Sequence, residues 1–129
     1  MRRWATRSTG SKSSPAYSEE IKTAGNAALV AAYKKKYGEG PIPLVGVTAT
    51  YALNFAKAAA EKARTYDRKA VFEALRGVQA TTPLSDAPLT LNASNLSLDY
   101  PMYLCQIQSG GLFKIVKELG VVPAGLKSC

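Results

Sequence analysis

TATYALNFAKAAAEKARTYDRKAVFEALRG, residues 48–77, is the stretch whose reading decides the fold. Its first part, Thr48–Arg64, is rich in alanine, a strong helix former, and Tyr51, Phe55, Ala58, Ala59 and Lys62 trace one helical face that is apolar until its end. Small side chains on that face permit close approach to another layer but bury little area by themselves, so this helix expects a neighbour. Asp67 then offers a capping oxygen to a shorter helix, DRKAVFEALRG, with Val71, Phe72 and Leu75 directed inward and Gly77 at its stop.

Working toward the N-terminus, GEGPIPLVG (38–46) reads as a loop, because Gly38, Gly40, Pro41 and Pro43 interrupt any helix entering it. Before that loop, Ile21, Ala24, Ala28, Leu29, Ala32 and Tyr33 fall on one stripe, which predicts an amphipathic helix over Ser18–Tyr37. Lys34, Lys35 and Lys36 crowd its last turn, where cations complement the carbonyl end of the helix dipole. That solvated arrangement is sufficient to explain the lysine run.

Beyond Gly77 the residues change to Thr, Pro, Ser, Asn and alternating β-branched or aromatic types, which predicts strands. Three are expected: Leu89–Asn92, Met102–Gln108 with Tyr103, Cys105 and Ile107 on one face, and Phe113–Val116. Ser109, Gly110 and Gly111 join the last two as a hairpin. Pro123 and Gly125 make LGVVPAGLKSC (119–129) an irregular arm that leaves the sheet.

Composition narrows the function. The chain has 129 residues and 47% hydrophobic content, enough for one small domain with a core. No run approaches the roughly 20 apolar residues needed to span a bilayer. The net charge is +8, and Arg2, Arg3, Arg7 and Lys12 precede the first acid at Glu19, so residues 1–16 read as a disordered basic tail and 17–129 as the folded part. Trp4 is the one aromatic residue in that tail, and no nucleic-acid module accompanies it, so no nucleic-acid partner is expected. The positive start has no apolar stretch behind it, so it does not read as a signal peptide.

Catalytic chemistry finds no support. There is no histidine, which removes the usual general base and metal ligand, and two cysteines are too few for structural zinc. No metal and no cofactor is expected. Glu61 with Asp67, or Asp86 with Asp99, read as solvated carboxylates, because neither spacing sets the pair beside a nucleophile. GEGPIP lacks the lysine of a phosphate-binding loop. Cys105 and Cys129 could pair under oxidising conditions, or stand as two independent thiols, and the sequence leaves both open.

Five blocks in order, NAALVAAYKKKYG, TATYALNFAKAAAEKA, YDRKAVFEALRGV, TPLSDAPLTLN and PMYLCQIQSGGLFKIVKELG, resemble the end of a type I periplasmic solute-binding protein. The likeness is to the branched-chain amino acid and amide-binding receptors of ABC importers, and runs from about Tyr17 to Pro123. Asp86, Ala87 and Pro88 depart from that family's strand entry, as does Asn92 just after it, and residues 1–16 match no part of it. The fold implied is α/β: the C-terminal segment of a bilobal Leu/Ile/Val-binding-like protein, three helices followed by a short β-ribbon.

The resemblance implies a solute-binding component, or a truncated fragment of one, that takes branched-chain amino acids or related amides without chemistry. It implies ABC permease subunits as partners of the full-length relative, and a periplasmic location. The alternative is a cytosolic amide-sensing regulator of the same fold. Within this segment the cleft side would come from a loop at Gly46, Val47 and Thr48, with Tyr51 one turn into the helix. A structural role for the same residues, Val47 and Tyr51 in the core and Thr48 as a cap, stands beside it. Much of the layer on which the helices would pack lies outside such a segment, so an exposed core face open to self-association is expected.

Overall fold

The computed structural model describes residues 9–123. Strand β1 is Lys12–Ser13; helices α1, α2 and α3 span Ala24–Tyr37, Leu44–Ala63 and Arg68–Ala74; β2 and β3 are Gln79–Thr82 and Ser85–Thr90; β4 and β5 are Tyr100–Ile107 and Phe113–Val122. Two antiparallel units result, a three-stranded sheet in the order β1-β4-β5 and a hairpin of β2 and β3. A 3-10 turn at Ser109–Gly111 joins β4 to β5, with Gly110 at φ 81°. This positive angle, costly for a side chain, explains the glycine pair at the reversal.

The helices form where the sequence pattern places them, but two of them start elsewhere. Helix α1 begins at Ala24 rather than Ser18: Thr23 is its cap, accepting from the Asn26 amide at 3.0 Å. Residues 17–21 instead run across the molecule as a brace. Ser18 Oγ donates to the Phe113 carbonyl, Glu20 Oε2 accepts the Ile115 amide at 2.7 Å, and Glu19 Oε1 accepts the Ile42 amide at 2.8 Å. Side chains thereby occupy backbone groups on the outer edge of β5 that would otherwise lack a strand partner.

Residues 1–16 were expected to form a disordered tail, and the structure corrects part of that range. Lys12 pairs with Gln106 and Ser13 with Cys105, while the Gly10 amide donates to the Ile107 carbonyl at 2.8 Å. Backbone groups make the pairing of this edge strand, with the Gln106 side chain donating to the Gly10 carbonyl at 3.2 Å, so no side-chain periodicity announces it. Residues 1–8 lie outside the described range.

The irregular arm expected over residues 119–129 is corrected in its first part, since β5 runs on to Val122, and residues 124–129 lie outside the described range. The pairing of β5 with β4 shifts register between Met102 and Tyr103 and between Leu104 and Cys105. Gly120, at φ 80°, lies opposite Met102 beside the first shift, and such bulges let a strand pass through a glycine. Strand β2 and the early residues of β3 are additional to the expected Leu89–Asn92 strand.

The core has two adjoining parts. Tyr17, Ile21, Ile42, Val47, Leu84, Tyr103 and Cys105 close the first, between the brace, the start of α2 and the sheet. Phe55, Val78 and Ala80 close the second, between α2 and the β2–β3 hairpin, and Tyr51 packs against both. Gly25 brings α1 onto the hairpin turn: a Cβ there would stand 3.1 Å from the Thr82 carbonyl oxygen.

Helix α1 buries a polar residue. Asn26 accepts from the Tyr17 hydroxyl at 2.7 Å and donates to the Glu19 and Ile21 carbonyls at 3.0 and 2.8 Å. Fully partnered, it fixes the brace against the helix. Ala24, Ala28 and Ala32 of the expected stripe are exposed.

Candidate functional site

Helix α2 begins under constraint from both sides. Pro43 is its first flanking residue, in extended backbone, and the fixed proline angle suits that position. Before it, Ile42 is buried in the first core and held through its amide by Glu19. The anticipated loop at Gly46–Thr48 is therefore the first turn of a helix, since a glycine there does not prevent initiation. The Gly46 and Val47 amides donate to the Pro43 carbonyl at 2.9 and 3.4 Å.

The four residues singled out in the sequence separate by burial. Val47 is wholly inaccessible, within the first core, and Gly46 is exposed. Thr48 is half-buried, and its hydroxyl donates back to the Val45 carbonyl at 3.0 Å, within its own helix. Tyr51, half-buried one turn later, has its phenol held above its ordinary pKa, first by burial and then by the nearby Tyr100. A hydroxyl rotor at the surface and an apolar ring behind it remain on the helix start, with Val47 as their support.

The helix dipole at this end favours an anion, and the Glu19 carboxylate on the Ile42 amide opposes one. No side chain caps α2 and no acidic residue stands in its first turn. Helix N-termini of this kind present amide donors and the positive end of the dipole. A recess lined by Tyr17, Glu19, Pro41, Leu44 and Phe113 holds about 100 Å³, and none of Gly46, Val47, Thr48 and Tyr51 lines it. Small-molecule sites usually enclose roughly 300 Å³ or more, so this recess is not a complete pocket.

Two larger depressions lie elsewhere. One of about 840 Å³ runs between the hairpin turn and the β4–β5 ribbon, with Glu20, Lys22, Asp86, Tyr103, Lys117 and Glu118 around it. Its acids already have structural duties: Glu20 holds the Ile115 amide, and Asp86 Oδ1 accepts the Ala24 amide at 2.8 Å, at the positive end of α1. Tyr103 is pushed above its ordinary pKa by burial first and by Glu118 second. The other, about 1330 Å³, is a trough along α2 and α3. Among the described residues, no group of three or more His, Cys, Asp or Glu side chains could hold a metal ion.

Sequence reasoning missed the brace and the hairpin contacts. Asp86 read as a departure from a turn pattern; in the fold it joins Thr23, whose hydroxyl donates to the Pro83 carbonyl at 2.7 Å, in tying the hairpin to α1. An asparagine beside an apolar helical stripe was the available signal for Asn26. Cys105 is a buried free thiol, raised above its ordinary pKa by burial and then by Glu20; Cys129, its possible disulfide partner, lies outside the described residues.

The model of the family described as periplasmic binding protein matches residues 6–111. The chain belongs to the periplasmic binding protein family. Because the match starts at residue 6, much of the segment expected to be unrelated to the family falls inside it, in keeping with the pairing of Lys12–Ser13 to β4. Such proteins bind solutes and carry out no reaction.

Among solved structures, an ABC-type branched-chain amino acid transporter protein from Rhodopseudomonas palustris CGA009 is similar over 91% of this chain and 33% of its own. The identity is 18% and the TM-score 0.74. A solute binding protein of an ABC transporter from R. palustris BisB5, in complex with 3,4-dihydroxybenzoic acid, matches 91% of this chain and 32% of its own at 22% identity and TM-score 0.71. The leucine-, isoleucine-, valine-, threonine- and alanine-binding protein from Brucella ovis, in a closed conformation, matches 95% of this chain and 35% of its own, with 15% identity and TM-score 0.72. These likenesses establish the fold, a mixed helix and sheet segment of a type I periplasmic binding protein. The chain spans about a third of the length of these structures. No curated protein matches it in sequence.

Proposed function

We propose that the chain is part of the solute-binding component of an ABC importer, acting in the periplasm beside permease subunits, and that its solute is a small carboxylic acid or amide. The family match over residues 6–111 carries this reading. Branched-chain amino acids remain the first candidates, in keeping with the R. palustris CGA009 and Brucella proteins. The dihydroxybenzoic acid in the BisB5 protein widens the class to aromatic acids. A carboxylate is common to both groups.

The uncapped start of α2 supports such a ligand. The amides of Leu44 and Val45 at the helix start, beside Gly46, would meet the anionic end, joined by the Thr48 hydroxyl once it turns from the Val45 carbonyl, and Tyr51 would form the apolar wall against the side chain. Val47 sets the position of that turn from the core and does not touch solute. Closure of two lobes about a hinge would supply the enclosure that the exposed start of α2 lacks.

The test is calorimetric titration of a complete bilobal protein carrying this segment with leucine, acetamide and 3,4-dihydroxybenzoate. One of the three should bind, and Tyr51→Ala should weaken it about tenfold, the loss of roughly 1.4 kcal/mol of contact. Unchanged affinity in that variant removes Tyr51 from the site, and no binding by any of the three contradicts the solute class.

A further inference from the structure

The crevice between the β2–β3 turn and the β4–β5 ribbon is the acidic part of a basic molecule. Three of the nine acids, Glu20, Asp86 and Glu118, line it, in a chain of net charge +8. The Ile115 amide holds Glu20 by Oε2 at 2.7 Å and the Ala24 amide holds Asp86 by Oδ1 at 2.8 Å, so each carboxylate is fixed through one oxygen and can accept through the other. Glu118 stands opposite Tyr103 in the β4–β5 register. Lys22 and Lys117 also line the crevice, but the ion pairs among the described residues join Lys34 to Glu39, Lys57 to Glu61 and Arg76 to Glu73. Neither lysine closes an ion pair with the three crevice acids.

Size and spacing select the ligand. At about 840 Å³ the crevice lies within the roughly 300 to 1,000 Å³ usual for small-molecule sites. Its floor is apolar: Leu84 is 2% and Tyr103 6% exposed, with Ile115 beside them. The acids do not gather around a single point, since no three such groups among the described residues could hold a metal ion. Asp86 stands on the hairpin side, Glu20 and Glu118 on the ribbon side. We propose that the crevice binds a short linear diamine, with one ammonium on Asp86, the other on Glu20 and Glu118, and the methylene chain across Leu84, Tyr103 and Ile115. A cleft of net negative charge concentrates cations, and methylenes cover apolar surface as the stem of a lysine does. The carboxylates proposed to bind at the start of α2 would be repelled here, so this site is independent of that reading.

The test is an NMR titration of the full 129-residue chain with cadaverine at low ionic strength. The amide signals of Leu84, Ser85, Tyr103 and residues 115–118 should move together and saturate. Pentylamine, with one cation, should bind about fivefold more weakly, the effect of one exposed ion pair, and glutarate should leave those signals in place. Asp86→Asn keeps the oxygen that accepts the Ala24 amide and loses the charge, and Glu118→Gln removes a charge from an exposed position. Each should weaken cadaverine about fivefold with the circular dichroism of the parent chain. Lys117→Gln should strengthen it, and Glu61→Gln, on α2, should leave it unchanged. Shifts that do not saturate, or that spread equally to Glu61 and Glu73, overturn the proposal. So does full affinity in both Asp86→Asn and Glu118→Gln, and equal affinity for pentylamine overturns the bridging of the two sides.

Discussion

The two sides of α2 carry similar residues and meet opposite fates. On one, Val47 and Phe55 are buried beneath the brace, the sheet and the hairpin, and hydrogen bonds tie Tyr17, Asn26, Thr23 and Asp86 into place. On the other, Leu53 and Val45 are more than two-thirds exposed beside a half-exposed Phe72. Hydrophobicity alone does not distinguish the sides; the difference is whether a layer lies opposite. The chain thus covers one apolar side of α2 and leaves the other in solvent.

The comparison breaks most sharply in the covered region. Leu84, 2% exposed, fills the first core, and Leu84→Ala should cost about 2–5 kcal/mol, read as a lowered urea midpoint. Asn26→Ala strands the Tyr17 hydroxyl and two carbonyls, and should cost about 2–3 kcal/mol. If either change were nearly neutral, this side would be no better packed than the other.

Alkali probes the same region. Tyr17 ionises near pH 12 rather than 10, because burial favours the neutral phenol and the charge on Glu19 opposes a second negative charge. A pKa raised in the fold means the phenol's contribution is complete below about pH 10, declines above it and is lost as pH passes 12. Stability measured from pH 9 to 12 should therefore fall, and Tyr17→Phe should flatten that fall even though the variant starts lower.

Smaller effects belong to the helices on the exposed side. Asp67→Ala removes the oxygen that accepts the Ala70 amide at 2.9 Å and should cost about 1 kcal/mol. Phe72→Ser should change stability by less than about 0.5 kcal/mol, since half the ring is already in water, yet should reduce the binding of a hydrophobic dye. A loss as large as that of Leu84→Ala would show that Phe72 belongs to the core.

What the sequence made legible followed the range of each signal. The start of α3 was readable because its cap at Asp67 is local, but the helix ends at Ala74 with Leu75 as its cap, short of the expected stop at Gly77, and Phe72, expected inward, is half-exposed. The β4–β5 hairpin was readable from Gly110 and Gly111. The start of α1 was misplaced because Ser18, Glu19 and Glu20 are used by partners far along the chain, and Ile21, though apolar, is buried in the core from a turn ahead of the helix. Strand β1 is defined by backbone pairing to β4 and leaves no side-chain periodicity to detect. At the candidate site, the expected loop extends through Gly46, Val47 and Thr48, past the start of α2 at Leu44. Pro43, just before Leu44, was the better guide to where α2 begins.

Residue-resolved hydrogen exchange of the intact chain tests the central claim most directly. The account predicts the slowest amides at Tyr103, Cys105 and the segment of α2 around Phe55, with α3 exchanging much faster because its outer face is uncovered. Equal protection of α3 and β4, lost together in one cooperative opening, would contradict it and mark the chain as a complete domain.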